Sequence, residues 1–309
     1  MKTIFMGTPQ FSVPSLTALY EAYFDIVLVV TQPDRVRGRG RKVMPSPVKR
    51  VAESLGLNIL QPETIRAQCV IEHMKHLAPD VIVVVAFGQI LPASLLKLPR
   101  KGAINLHASL LPKYRGPAPV QWAIINGERE TGITTMLMDE KMDTGDILLS
   151  ERVPIKPDDT CETLQQRLAV MGADLLVNTL RKIEKGDIRP IPQDHSKATY
   201  APMLKKSDGR IDWHQPAAKI EAFIRGMNPW PGAFTFFNKK RLKIFKAEVV
   251  ERDPGQPPGT VIKGAADQLH VAAGKYQLSI SEIQSESGRR LPVAEFLRGC
   301  KIPEGAVLD

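Results

Sequence analysis

The 309-residue chain has few cysteines, few aromatic side chains and no long apolar run. Its three cysteines, Cys69, Cys161 and Cys300, are scattered and odd in number, which excludes a disulfide framework and a clustered zinc site. A reducing cytoplasm is the expected setting. No stretch approaches the roughly 20 apolar residues that span a bilayer, so no membrane partner is expected. The stretch Met1–Gly7 is too short an apolar segment for a secretory signal and reads as a first strand. Several nucleotide and acyl-transfer motifs are also missing. Gly7 stands alone after that strand, so the Gly-x-Gly-x-x-Gly dinucleotide fingerprint is excluded, and no Gly-x-x-x-x-Gly-Lys-Ser/Thr phosphate loop occurs. Ser109 lies near His107 but lacks the Gly-x-Ser-x-Gly turn of a hydrolase nucleophile. His73 and His76 are spaced for one helix face, but nearby Glu72 and Lys75 suggest a solvated surface, and no metal is expected.

What is present is an ordinary soluble composition, 43% apolar and 24% charged, on a chain long enough for two domains. The first two-thirds alternate short β-branched runs with helix patterns. Strands are predicted at Thr3–Met6, Ile26–Val30, Val81–Ala86, Ala103–Leu106 and Ile133–Met138. Several are apolar throughout, as parallel strands covered on both faces must be. Ser12 is placed to cap one helix. Ser46-Pro47 caps another that presents Val48, Val51, Ala52 and Leu55 on one side and stops at Gly56. A longer helix is predicted from about Thr160 to Lys185, ending at Gly186. This is the pattern of an α/β domain with a mostly parallel, Rossmann-like sheet. Near residue 188 the pattern changes. Pro190, Pro192 and Pro202 break helices and Gln193 to Tyr200 is polar, so 188–208 reads as a linker between a domain at 1–187 and a second at 209–309. In that second domain five strands are predicted, at Ala233–Phe237, Leu242–Val249, Thr260–Lys263, Gln268–Ala272 and Tyr276–Ile283, with turn residues between them. They suggest a small β-barrel.

The formal charge of +9 favours polyanionic partners. Its distribution is more specific. Between Asp34 and Arg50 there are seven cations against one acid, and in Asp34-Arg-Val-Arg-Gly-Arg-Gly-Arg-Lys42 arginines alternate with glycines without an apolar face. Such a segment is expected to be mobile when free. From Lys205 onward, seventeen lysines and arginines face twelve acids, with Lys239, Lys240, Arg241 and Lys243 close together.

The densest cluster of chemistry is Asn105-Leu-His-Ala-Ser-Leu-Leu-Pro-Lys-Tyr-Arg-Gly116. Asn105 and His107 are two apart on an extended chain and point the same way. An amide donor and an imidazole therefore sit side by side at a strand end, where open α/β sheets bind ligands. Ser109 to Pro112 offers backbone groups in a turn, and Tyr114-Arg115-Gly116 adds a ring, a cation and a hinge. Further along, Met138-Asp139-Glu140-Lys141-Met142-Asp143-Thr144-Gly145-Asp146 follows a strand. Sequence spacing alone does not bring Asp143 to His107. The loop Phe87–Leu91 reads equally well as an ordinary turn with core side chains or as one end of a ligand pocket.

These motifs resemble those of the folate-dependent formyltransferases. Matches continue at Met6-Gly7-Thr8-Pro9, Gln32-Pro33-Asp34, Pro45-Ser46-Pro47-Val48-Lys49 and Asn228-Pro229-Trp230-Pro231-Gly232-Ala233, across nearly the whole chain. The resemblance implies formyl transfer from 10-formyltetrahydrofolate, used as a co-substrate, to the amino group of methionyl initiator tRNA. It implies that Asn105 and His107 stabilise the oxyanion and that Asp143 supports His107. It assigns Ser109, Leu110, Leu111 and Pro112 to the folate donor. The Arg-rich segment, with Arg35, Arg37, Arg39, Arg41 and Lys42, would hold the tRNA acceptor stem, Arg39 nearest the bases and Arg41 and Lys42 on phosphates. The second domain becomes an oligonucleotide-binding-type barrel. Trp230 is expected to be buried, and a monomer is expected. Two rivals remain: a formyltransferase acting on a small amine such as an amino sugar nucleotide, which has no use for the Arg-rich segment, and a non-catalytic RNA-binding protein, which has no use for an intact Asn-His-Asp trio.

Overall fold

A computed structural model describes residues 1–37, 42–262 and 267–309. The chain forms two compact units, one of residues 1–119, 131–154 and 165–201, the other of residues 120–130, 155–164 and 202–309. In chain order the elements up to the middle of the chain are β1 (Lys2–Gly7), α1 (Val13–Glu21), β2 (Asp25–Val30), β3 (Arg35–Arg37), β4 (Lys42–Met44), α2 (Pro47–Ser54), β5 (Ile59–Leu60) and α3 (Gln68–Leu77). They continue as β6 (Val81–Val85), α4 (Ala93–Leu96), β7 (Ala103–His107), α5 (Pro119–Ile125), β8 (Glu130–Leu137), β9 (Ile147–Pro154) and α6 (Cys161–Lys185). Among the described residues no helix is long and apolar enough to cross a membrane.

The first unit is built on a seven-stranded sheet in the order β5-β2-β1-β6-β7-β8-β9. The pairs from β5 to β7 are parallel, and β8 runs antiparallel to β7. The chain crosses from β2 on one side of β1 to β6 on the other, so the sheet has a switch point at β1. Both faces are covered, which explains the unbroken apolar runs. Ile4, Met6, Leu28, Val30, Ile82 and Val84 pack with Ile65, Met74 and Leu95. The alternate residues Phe5, Val29 and Val83 are fully buried as well.

The helix ends follow local chemistry in one case and depart from it in another. Ser46 Oγ accepts from the Lys49 amide at 3.0 Å, and Pro47 opens α2; a cap of this kind is worth about 1 kcal/mol. Ser12 stands at the N-cap position of α1 but makes no cap bond. Its hydroxyl donates instead to the carbonyl of Val85 at 2.5 Å, tying the turn after β1 to the end of β6. Helix α6 lies close on the sheet at Gly172, where a Cβ would come within 2.8 Å of the Leu106 side chain. The Arg-rich segment is not simply a mobile loop at its flanks: β3 and β4 form a two-stranded antiparallel ribbon, with Arg35 opposite Met44 and Arg37 opposite Lys42.

The second unit contains α7 (Ala217–Met227), β10 (Ala233–Phe237), β11 (Lys240–Val250), β12 (Val261–Ile262), β13 (Leu269–Ala272), β14 (Gln277–Ser285), β15 (Leu291–Pro292) and α8 (Val293–Gly299). The strands pair antiparallel in the order β10-β11-β14-β13-β12, with β15 against β14. The C-terminal residues bond to both outer strands. Asp309 and Phe236 of β10 exchange two backbone bonds of 3.0 Å, while the Val261 amide of β12 donates to Ala306 at 2.8 Å. Those last residues bridge the two edges of the barrel-like sheet and leave neither edge bare. Five strands stand where five are predicted; Lys263 lies outside the described residues. Trp230 is 48% exposed, contrary to the expected burial.

Candidate active site

Asn105 and His107 both lie on β7, and His107 is its last residue. The third member of the trio arrives by a longer route. Because β8 is antiparallel to β7, the segment after Leu137 starts beside Ala103, where the Met138 amide donates to the Ala103 carbonyl at 2.8 Å. It then folds back along β7 and closes on itself, with the Leu137 amide donating to Asp146 at 2.9 Å. Inside it, Asp139 accepts from the Thr144 hydroxyl and the Lys141 amide. Gly145 sits so close to Leu137 that a Cβ would fall 1.8 Å from its carbonyl oxygen, so no other residue fits.

This loop brings Asp143 to the two β7 residues. Its Oδ2 lies 3.7 Å from His107 Nδ1 and its Oδ1 lies 3.4 Å from Asn105 Nδ2, a long and weak hydrogen bond. Oδ2 also accepts from the Gly116 amide at 2.8 Å. On the other side of the ring, His107 Nε2 lies 2.9 Å from the Tyr114 carbonyl oxygen. The His107 side chain is 7% exposed and that of Asp143 14%, so the pair is largely screened from water.

The turn from Ser109 to Pro112 differs from expectation. Four of its backbone groups are occupied rather than free. Thr134 Oγ1 donates to the Ser109 carbonyl at 2.7 Å and accepts from the Leu111 amide at 3.3 Å. The Leu110 and Pro112 carbonyls accept from Lys113 and Thr199. Ser109 is fully buried, its hydroxyl donating to the Lys113 carbonyl at 2.6 Å, and Leu111 is buried too. Leu110 and Pro112 remain half-exposed. Gly116 is no open hinge either: its φ is +119°, and a Cβ there would meet the Ala201 carbonyl at 2.8 Å.

A cavity of about 300 Å³ opens at the ends of β1, β2 and β6, with Thr8, Pro9, Gln32, Ala86, Phe87 and Gly88 among its walls. It combines apolar surface with a few polar groups, as a site for a flat heterocycle requires. Phe87 and Leu91 themselves belong to the core. Arg35 is exposed at the edge of this cavity and donates to Gln32 Oε1 at 3.2 Å. Arg37 and Lys42 lie on the β3–β4 ribbon, and Arg39 and Arg41 lie outside the described residues.

One site-lining residue carried no sequence signal. Gln193 falls in a polar stretch that reads as solvent-facing linker, yet it is 5% exposed and bonded to the Asp143 loop. Arg115, the cation of the Asn105–Gly116 cluster, is 2% exposed.

A sequence model described as "Formyl transferase" matches residues 1–180, and one described as "Formyl transferase, C-terminal domain" matches 203–301. A methionyl-tRNA formyltransferase of Caldanaerobacter subterraneus subsp. tengcongensis is 52% identical over all of both chains. One from Pelotomaculum thermopropionicum is 50% identical over all of this chain and 98% of its own. Among solved structures, an N-formyltransferase from Helicobacter canadensis, in complex with folinic acid and dTDP-3-aminofucose, superposes with a TM-score of 0.68 at 19% identity, covering 94% of this chain and all of that one. A methionyl-tRNA formyltransferase from Clostridium thermocellum gives 0.56 at 18% identity, covering 81% and 94%. At such identities these two structures support the fold alone, but the sequence matches go further: the chain belongs to the formyl transferase family.

Proposed function

We propose that the chain transfers the formyl group of 10-formyltetrahydrofolate to the amino group of methionyl initiator tRNA, supplying translation initiation in the cytoplasm. The observation that carries this reading is identity of 52% and 50%, over essentially whole chains, to proteins named methionyl-tRNA formyltransferase. The same reading divides the chain into a catalytic domain at 1–187, a linker at 188–208 and a tRNA-binding barrel at 209–309. It has the protein act as a monomer without a metal.

The donor supplies an activated formyl carbon; the residues supply the rest. Attack by the amine puts negative charge on the formyl oxygen, and donors aimed at that oxygen lower the barrier. Asn105 holds its amide only loosely on Asp143, so it is available to the oxyanion. His107 has one ring nitrogen committed to Tyr114, which leaves Nδ1 facing Asp143 and the reacting centre. The carboxylate steadies the ring, and the pair takes the proton that the amine loses and passes it to N10 of the folate as the N10–formyl bond breaks and tetrahydrofolate leaves. In the donor site, Ser109 and Leu111 act by shaping the turn from within, and Leu110 and Pro112 supply the contact surface. The acceptor stem is held by Arg35, Arg37, Arg39, Arg41 and Lys42.

The rival acceptor is an amino sugar nucleotide, since the Helicobacter canadensis neighbour was solved with one. That likeness is at 19% identity, and a small soluble acceptor gives the Arg-rich ribbon nothing to do. The deciding experiment offers the protein 10-formyltetrahydrofolate with charged initiator tRNA and dTDP-3-aminofucose in competition. Formylated methionyl-tRNA is the expected product; formyl on the sugar alone would overturn the assignment.

A further inference from the structure

We propose that Gln193 is a positioning residue that holds the Asp143 loop in its reactive shape, using the buried guanidinium of Arg115 as its anchor. The proposal rests on the assignment of Asp143 to catalysis made above. Asp143 has a φ of +53°, in the left-handed region that few non-glycine residues adopt. Two groups enforce it here. The Gly116 amide holds the carboxylate at 2.8 Å. The side-chain amide of Gln193 holds the backbone, donating to the Asp143 carbonyl at 3.0 Å and to the Gly145 carbonyl at 2.7 Å.

Both hydrogens of that amide nitrogen are thus spent on one loop. The amide oxygen is spent as well: it accepts from Arg115 Nε at 3.2 Å and from a terminal nitrogen of the same guanidinium at 2.6 Å. That terminal nitrogen also donates to His195 Nδ1 at 2.9 Å. A planar fork on one side and a two-carbonyl clamp on the other leave the Gln193 amide one orientation. Arg115 adjoins Gly116, so both restraints on Asp143 derive from a single stretch of chain. Arg115 is itself locked to the segment ahead of Pro202, exchanging backbone bonds of 2.9 Å with Thr199 and 2.8 Å with Ala201. The arrangement fixes the Asp143 loop to the Arg115–Gly116 stretch.

The test uses Gln193→Glu in the full-length enzyme. A carboxylate keeps the acceptor for Arg115 but puts an oxygen without hydrogens against the carbonyls of Asp143 and Gly145, where the amide nitrogen offered two. The variant is expected to fold, to lose tenfold or more in kcat, and to keep the KM values for the folate donor and the charged tRNA within about twofold. A second variant, Gln193→Met, lacks all four bonds and is read the same way at 10 °C on its folded fraction. Each change is repeated in an Asp143→Ala background, where it should cost almost nothing further, because the group being positioned is gone. Wild-type kcat in Gln193→Glu, or a loss of the same size with and without Asp143, would overturn the proposal. A normal rate in Asp143→Ala alone would overturn the site assignment instead.

Discussion

The Nε2 of His107 lies 2.9 Å from the carbonyl oxygen of Tyr114, and a carbonyl only accepts, so this nitrogen carries a hydrogen. That leaves Nδ1 facing Asp143 at 3.7 Å. One ring nitrogen is structural and the other chemical. Tyr114 holds its carbonyl in place with a φ of +60°, and the bond is buried.

Replacing His107 tests this division directly. His107→Ala should lower turnover on the order of a hundredfold or more, the usual loss when an oxyanion donor is removed. The KM for the folate donor should move little, because the ring is spent on Tyr114 and Asp143 rather than on ground-state binding. Steady-state kinetics with charged initiator tRNA measure both; a near-normal kcat would reject the mechanism.

The Arg-rich segment should act on one substrate only. Arg39→Ala is expected to weaken use of charged tRNA strongly while leaving folate binding unchanged. Lys42→Ala should flatten the salt dependence of tRNA binding by roughly one unit of log–log slope, the mark of one lost phosphate contact. Filter binding between 50 and 200 mM salt measures the slope. An unchanged slope would rule out phosphate contact by Lys42.

What was legible in the sequence was local. Ser46-Pro47 named its helix because a hydroxyl cap and a proline act within one turn. The five barrel strands stood out because alternation and turn residues act within a few positions. Ser12 had the same appearance as Ser46, but Val85, distant in sequence, claimed its hydroxyl. The turn at Ser109–Pro112 looked open for the same reason: Thr134 and Thr199, which occupy three of its backbone groups, come from elsewhere in the chain. Gln193 was hidden most completely. A glutamine between prolines reads as solvent-facing until the fold sets it between Arg115 and the Asp143 loop.

Gly145 should be irreplaceable for a reason of space alone. An added methyl would collide with the Leu137 carbonyl, a backbone atom that has no rotamer to move. Overpacking of this kind costs about 1–3 kcal/mol, or roughly 2–4 °C of melting temperature per kcal/mol in a chain of this size. Gly145→Ala should melt several degrees lower and also lose activity while folded, since the displaced residue is two away from Asp143. Gly299→Ala is the control: nothing lies within 4 Å of its added methyl, and it should match wild type. Equal melting curves for the two variants would contradict the packing.

Cys161 carries the clearest pH-dependent contribution. It is 2% exposed at the start of α6, and loss of hydration, with a small addition from Glu162, pushes its thiol up to about 12. Exposed Cys69 should therefore react readily with a thiol reagent, while Cys161 reacts only on unfolding. The same shift fixes a sign. Between pH 9, where the unfolded thiol ionises, and about 12, where the folded one does, the native state binds more protons than the unfolded chain. Stability then falls as pH rises. The contribution is complete below pH 9 and is lost through that window. Other alkaline titrations are common to wild type and Cys161→Ala and cancel in their difference. The melting-temperature advantage of wild type over Cys161→Ala should be constant up to pH 8 and shrink by pH 10.5. A difference that stays level across that range would mean the thiol ionises in the folded protein as easily as in the unfolded chain.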